Sequence, residues 1–360
     1  MKLSHIIAAL EEYAPLSLQE KWDNSGLQVG LPRESDGECT GALLCLDVTP
    51  DIISEAVRRG CNLVVSHHPL IFKGLKSLIG RTVAERTVAE AIRAGVAVYS
   101  SHTALDSTMG GISYTMATML GATVQRVLAP GENRSVLLRA TCPRDMAADV
   151  RLILLGSRTE CNYVDVEGES SVSPDSPDFP HDIVRHTPLC RVETIVDADE
   201  VRHFRASVAT MPCGDKVSVE TVAVDDGNNS YGLGVFATYD KAITLGELVE
   251  RMRSAFALKS LKASRAYNPD TNVTRIALCG GAGGEFIGRA AAAGAQAYIS
   301  GDIRYHDFAD NAFSPMTIFD IGHFESELCA KDIFFKLIQK KFPNFAVYFA
   351  ESEQNPVINL

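Results

Sequence analysis

Two adjacent histidines, His67 and His68, stand where an apolar run of the sequence stops and a turn begins. The run NLVVS at 62–66 is rich in β-branched residues and predicts a buried strand that ends just before the pair. In open α/β sheets, ligands bind at the carboxyl ends of strands. Neighbouring residues of a regular strand point to opposite faces, but Pro69 turns the chain directly after the pair. One histidine can thus serve each of two metals, or one can ligate while the other packs.

Polar clusters follow four predicted strands, and five of the nine histidines lie in them: His67, His68, His102, His306 and His323. His323 and Glu327 are four residues apart at the start of a predicted helix, so both project from one face. Imidazoles with carboxylates and no thiolate suit Zn, Mn, Fe or Ni better than calcium. Glu327 or Asp106 can bridge two ions about 3.5 to 4 Å apart, as in two-metal hydrolytic sites. Taken singly, Asp106 is more simply interpreted as a helix or turn cap, and Glu327 as an exposed acid in the first turn of a helix.

Alternating strands and helices must position these clusters. The predicted strands of residues 1–131 cover 41–48, 62–66 and 96–101. Those of residues 231–360 cover 273–279, 297–300, 317–321 and 345–349. Intervening helical patterns predict parallel strands with crossover helices, so we expect an α/β fold whose two layered halves form one metal-binding core. The segment at 22–30 predicts a tight turn with Trp22 buried, followed by a strand.

A segment with a different pattern of strands and helices separates the two halves of the chain. Strand patterns at 136–141, 190–196 and 216–224 alternate with helical patterns at 146–155 and 199–210. This order predicts an inserted α+β ferredoxin-like domain over 136–226. The proline-rich segment 169–180 predicts a surface loop.

Composition limits the classes of partner. The formal charge of −11 makes nucleic acid an unlikely main partner, because a phosphate backbone calls for a basic face. Nine cysteines without a C-x-x-C pair favour buried free thiols in a reducing cytoplasm. Residues 1–15 form an amphipathic helical pattern rather than a signal peptide, and no apolar run is long enough to span a bilayer. We therefore expect a cytoplasmic protein without membrane contact.

The run Gly280–Gly284 lies between a predicted strand and a predicted helix. It lacks both the G-x-G-x-x-G and the G-x-x-x-x-G-K-[ST] spacing of phosphate loops. A plain turn is the better interpretation.

Six stretches resemble, in the same order, the Nif-like dinuclear metal centre proteins, also called GTP cyclohydrolase I type 2 homologues: WDNSGLQVG, SHHPLIFKG, HTALD, CGGAGGEFIG, GDIRYHDFAD and GHFESE. The resemblance implies that two divalent metals are held by His67, His68, Asp106, His323 and Glu327. It also implies a toroidal homohexamer whose metal sites face an internal cavity. The insert at 136–226 is similar to the PII-like or CutA-like domain of longer family members.

The same resemblance favours a metal-dependent hydrolase that opens the guanine ring of GTP with release of formate, or acts on another small molecule. His102 and His306 are then candidates for proton transfer, and Lys73 is a candidate contact for a phosphate. Structural roles for these three residues stay open, such as orientation of a ligand or a surface charge. The alternative is a metal-handling or regulatory hexamer without turnover, and a scaffold that binds partners through the insert is a third possibility.

Overall fold

The computed structural model describes residues 1–32, 37–131, 135–155, 162–166, 189–224 and 231–358. The strands are, in chain order, β1 (Gly26–Val29), β2 (Ala42–Cys45), β3 (Leu63–Ser66), β4 (Ala97–Ser100), β5 (Thr123–Pro130), β6 (Ser135–Pro143), β7 (Asn162–Val166), β8 (Leu189–Asp197), β9 (Ser218–Ala223), β10 (Gly232–Thr244), β11 (Lys262–Ala263), β12 (Asn272–Ala282), β13 (Ala297–Gly301), β14 (Thr317–Asp320) and β15 (Val347–Phe349). The α-helices are α1 (Leu3–Tyr13), α2 (Pro50–Arg58), α3 (Val83–Ala94), α4 (Thr103–Ser107), α5 (Ile112–Met119), α6 (Ala147–Leu155), α7 (Ala198–Ala209), α8 (Leu245–Ala255), α9 (Ile287–Ala292), α10 (Tyr305–Asp310), α11 (His323–Glu327) and α12 (Cys329–Lys341).

The chain divides into two compact units, one made of Met1–Gly131 with Asn229–Leu360 and the other of Glu132–Asn228. The first unit is a mixed α/β structure with two sheets. The second contains a smaller sheet with two helices. Among the described residues, no helix combines the length and the apolar character needed to cross a membrane.

The first sheet of the larger unit has the order β1-β4-β3-β2-β15. Its four strands β4, β3, β2 and β15 run parallel, and β1 is added antiparallel at one edge. Every residue of β2, β3 and β4 is buried, as expected for parallel strands covered on both faces. Because these strands run the same way, the residues that follow them meet at one edge of the sheet.

The second sheet has the order β11-β14-β13-β12-β10-β5. Strands β12, β13 and β14 are parallel, whereas β10, β5 and β11 pair antiparallel. The sequence did not predict β5 and β10 as strands. Their pairing is interrupted by register shifts and β10 contains Gly232 and Gly234, so the alternation that indicates a strand is weak there.

One hydrophobic core joins the two sheets of the larger unit. Leu44 and Tyr99 of the first sheet belong to the same buried cluster as Ile299 and Phe319 of the second, together with Met116 from α5. The two halves of the chain therefore share one core. Helices α3 and α8 begin with side-chain caps from Thr82 and Thr244.

The described residues of the smaller unit follow the order β-α-β-β-α-β, with strands arranged as β7-β8-β6-β9 and all paired antiparallel. Leu138, Val150, Val192 and Phe204 are among the residues of its own buried core. The domain limits 136–226 and the similarity to PII or CutA stay predictions. The predicted loop at 169–180 lies outside the described residues.

Candidate metal centre

His67 and His68 continue the β3 ladder past the end of the strand. The His67 amide donates to the Cys45 carbonyl at 3.2 Å, and the His68 amide donates to the Leu46 carbonyl at 2.9 Å. The backbone of both histidines is thereby fixed to the neighbouring strand before Pro69 turns the chain. Their rings lie with centroids 5.0 Å apart, so the two side chains share one site despite being adjacent in sequence.

Four imidazole rings are each oriented at Nδ1 by an oxygen atom 2.9 Å away. The pairs are His67 with the Ser101 carbonyl, His68 with Asp47, His102 with Asp23, and His323 with Asp302. A hydrogen bond at Nδ1 fixes the ring and leaves Nε2 as the atom available to a metal. These oxygen atoms therefore set the direction in which the four rings present Nε2.

Glu327 lies at the centre of the histidines. Its Oε2 atom is 2.9 Å from His68 Nε2 and 3.0 Å from His323 Nε2, and its Oε1 atom is 3.6 Å from His67 Nε2. Asp106 Oδ1, from the short helix α4, lies 3.6 Å from the same His67 nitrogen. Among the described residues, His67 Nε2 and Asp106 Oδ1 are buried atoms without a hydrogen-bond partner. Buried polar atoms rarely stay unpaired, so these two atoms are suited to share a bound cation.

Buried opposite charges stabilise one another in this cluster. Burial alone would raise the pKa of Glu327, but the surrounding imidazoles, His67 foremost, hold it well below its usual range. Burial likewise opposes a charge on His68, yet Asp47 and Glu327 raise its pKa to about 10. Burial also opposes a charge on His323, but Glu327 and Asp302 raise its pKa to about 9. For Asp106, burial raises the pKa. The carboxylates thus favour positive charge at this place, which a divalent ion also supplies.

The donor atoms form two groups that share one histidine. The ligand atoms of His67, His68 and His102 lie within 4.8 Å of one another, and so do those of His68, His323 and Glu327. Imidazole and carboxylate donors in such groups match borderline divalent ions, and the unpaired His67 and Asp106 atoms provide further ligation. The residues present therefore fit a metal centre.

Two glycines allow the backbone to approach these ligands closely. A Cβ atom on Gly281 would lie 2.2 Å from Glu327 Oε1, and one on Gly301 would lie 2.8 Å from the His323 backbone. Gly281 also has a φ of +63° and donates its amide to Ser326 at 2.9 Å. Gly281 thus makes room for Glu327, and Gly301 makes room for the backbone of His323.

The other sequence candidates differ in position. His102 joins the cluster. His306 is exposed on α10, with its ring 5.4 Å from that of Tyr305, and belongs to neither group of ligand atoms. Lys73 is exposed in the segment after Pro69. The roles of His306 and Lys73 in catalysis stay predictions.

A cleft of about 400 Å³ opens onto His68 and His323. Carboxylates of Asp47, Asp302, Asp320 and Glu325 are among its walls. Its lysine, Lys262, is paired with Asp320 at 2.9 Å. The cleft gives a small molecule access to the histidines.

Comparison with known proteins identifies the family of the chain. The model of the family described as Duf34/NIF3 (NGG1p interacting factor 3) matches residues 1–356. The chain belongs to this family. Relatives from Staphylococcus epidermidis and Staphylococcus aureus, each named GTP cyclohydrolase 1 type 2 homolog, are 25% and 28% identical to it. The alignment covers 99% of both chains for the former, and 92% of this chain and 91% of the relative for the latter. The family predicted from the six stretches is therefore confirmed.

Solved structures show the same fold as this NIF3-family chain. A Bacillus cereus protein related to NIF3 is 25% identical, with a TM-score of 0.81 over 100% of this chain and 99% of the other. A Staphylococcus aureus protein is 22% identical, with a TM-score of 0.77 and the same coverage. The second likeness concerns the fold alone.

Sequence reasoning missed the residues that orient the histidines. Asp47 follows β2 in the same way that the histidine pair follows β3, so its place at the carboxyl end of a parallel strand was an available signal. Asp23 lies in a D-N-S-G turn signal and gave no indication that it would reach His102. Asp302 directly follows the parallel strand β13, so the same signal was available for it.

Proposed function

We propose that this chain holds two divalent metal ions and uses them to hydrolyse a nucleotide, opening the guanine ring of GTP with release of formate. The observation that carries the proposal is the buried Glu327 carboxylate, which lies within 3.6 Å of three imidazole nitrogens beside the unpaired atoms of His67 and Asp106. The relatives named GTP cyclohydrolase 1 type 2 homolog supply the reaction.

The distances support a division of the ligands into two sets. His68, His323 and Glu327 would hold one ion, and His67 and Asp106 would hold the other with Glu327 between the two. When bound, such ions act as Lewis acids and lower the pKa of water to about 7. The imidazole and carboxylate donors suit Zn²⁺, Mn²⁺, Fe²⁺ or Ni²⁺.

Groups of the protein would orient the metal-binding histidines and transfer protons. Asp47, Asp302 and the Ser101 carbonyl hold three ligand rings in place. His102 has its Nδ1 bonded to Asp23, so its Nε2 is free either to ligate or to move a proton between the bound substrate and solvent. The cleft next to His68 and His323 would give water access to the site.

The family resemblance also underlies two proposals about organisation. The β-α-β-β-α-β order of the smaller unit is that of a ferredoxin-like domain, which supports a PII-like or CutA-like insert. A toroidal homohexamer predicts a particle of six times 38.9 kDa, which light scattering would measure. A smaller particle at working concentrations would contradict it.

The test is formate release from GTP by protein loaded with Mn²⁺, Zn²⁺ or Fe²⁺, with Glu327→Ala compared. Glu325→Ala is the matched control for metal content, because Glu325 lies on the same short helix but contacts Asn355 rather than a histidine. We expect formate from the wild type and none from Glu327→Ala, while Glu325→Ala keeps its metals. Absence of formate with every metal, in protein shown to carry its ions, would contradict the hydrolase and favour metal handling without turnover.

A further inference from the structure

Two exposed aromatic side chains stand beside the metal-binding cluster. Trp22, the only tryptophan of the chain, is 58% exposed, and Phe72 is 45% exposed. The prediction that Trp22 is buried is therefore wrong. Its ring centroid lies 5.9 Å from that of Phe72 and 5.9 Å from that of His102, and Phe72 lies 6.3 Å from His102. Both rings thus adjoin a histidine of the cluster.

The two segments that carry these rings are joined by hydrogen bonds. The Asn24 side chain donates to the Ile71 carbonyl at 2.6 Å, and the Ile71 amide donates to the Gln28 side chain at 3.2 Å. Trp22 is therefore two residues from one end of this link, and Phe72 is next to the other. The rings are held in a fixed pair before any ligand arrives.

The neighbouring Asp23 ties the same pair to the cluster. Its carboxylate accepts hydrogen bonds from the Thr103 amide at 3.0 Å and the Thr103 hydroxyl at 2.6 Å, besides orienting His102. Exposure of apolar rings to water costs free energy. A rigid pair of such rings at the edge of a polar site therefore indicates a ligand with an aromatic face.

We propose that Trp22 and Phe72 form a stacking wall for the planar purine ring of the substrate, which they hold against His102. The rings are inclined by 60° to each other, so a planar ligand that stacks on one presents its edge to the other. This inference rests on the proposed function for the identity of the purine. It adds the residues that recognise the base, whereas the metal ligands recognise none of its features.

The single tryptophan provides a direct probe of the wall. Guanosine and GTP are titrated into metal-free and Zn²⁺-loaded protein while Trp22 emission is followed, with ribose 5-phosphate as the non-aromatic control and free tryptophan correcting for absorbance. We expect a saturable change in emission with guanosine and GTP and none with ribose 5-phosphate.

Variants identify the residues responsible. Phe72→Leu keeps the tryptophan and is expected to raise the Kd for guanosine about 5- to 150-fold, the range of base stacking on one aromatic ring. Trp22→Leu, measured by calorimetry, is expected to show a loss in the same range. Phe313→Leu removes an aromatic ring that is 95% exposed and stacks on no other described ring, and the Kd should stay unchanged.

The outcomes separate this inference from the hydrolase itself. Saturable guanosine binding without formate release would support the wall and contradict the reaction. Formate release with unchanged emission, and with KM unaltered in Phe72→Leu, would overturn the wall. Emission that changes with protein concentration but not with guanosine would also overturn it, because a second copy of the chain would then cover the rings.

Discussion

Replacing Gly281 by alanine tests whether the backbone is shaped around Glu327. The added Cβ would lie 2.2 Å from Glu327 Oε1, 3.2 Å from its Cδ and 3.4 Å from His323 Cε1. Glu327 is buried and contacts three histidines, so it cannot move without losing at least one of these contacts. We expect Gly281→Ala to weaken metal binding and to destabilise the fold.

The magnitude has two sources. An alanine at a φ of +63° costs about 1 to 2 kcal/mol through backbone strain. Forcing an extra methyl group into packed surroundings costs about 1 to 3 kcal/mol more. The free energy of unfolding of metal-free protein should therefore fall by about 2 to 5 kcal/mol. A smaller fall means that Glu327 has moved aside, and the variant then binds metal more weakly than the wild type.

Gly288→Ala is the matched control. Gly288 lies exposed in α9, and a Cβ there would meet nothing within 4 Å, so alanine should stabilise by about 0.5 to 1 kcal/mol. Urea unfolding and metal analysis of both variants measure the difference. A Gly281→Ala protein with wild-type stability and a full complement of metal would refute the reasoning.

Three further predictions concern other parts of the larger unit. Asp23→Asn should lower the affinity for Zn²⁺ about 10- to 100-fold in a chelator competition, because Asp23 orients His102, whose ligand atom lies with those of His67 and His68. Burial would raise the pKa of Glu55, but hydrogen bonds, those from Ser352 foremost, lower it from 4.5 to about 2. Since the folded-state pKa is the lower one, Glu55 stabilises the fold above pH 4.5, and about 2 to 3 kcal/mol is lost as the pH falls toward 2. Thr244→Ala removes the α8 cap and should cost about 1 kcal/mol in urea unfolding.

Each of these predictions has a contradicting result. Zn²⁺ affinity in Asp23→Asn equal to that of Asp240→Asn, a change at an exposed acid of β10, would remove Asp23 from the site. Acid unfolding of Glu55→Gln as steep as that of the wild type between pH 4.5 and 2 would assign the acid transition to other carboxylates. An unchanged free energy of unfolding in Thr244→Ala would show that the cap is replaced by solvent.

The sequence predicted the parallel strands and the edge where their polar ends meet. The segments that form β2, β3 and β4 are continuous apolar runs, because each strand is buried on both faces. The sequence of each run was therefore sufficient to predict its strand. The four-residue spacing of His323 and Glu327 likewise depends on one helix, and their atoms lie 3.0 Å apart in the structure.

Features that depend on distant partners were not predictable in this way. Strand β10 is stabilised by antiparallel pairing with β12 and β5 rather than by its own pattern. Asp23 bonds to His102, 79 residues away, whereas its local sequence indicates only a turn. Trp22 was expected to be buried because tryptophan is mostly buried, and only the link between Asn24 and Ile71 shows why it is held at the surface.

The number of metal ions bound per chain tests the central claim most directly. Metal-free protein is titrated with Zn²⁺ or Mn²⁺ by calorimetry, and the bound metal is counted after desalting, for the wild type and for His323→Ala. The account predicts two ions per wild-type chain and one per His323→Ala chain, because His67, Asp106 and Glu327 remain. A wild-type chain that binds one ion or none, or a His323→Ala chain that still binds two, would contradict the dinuclear centre.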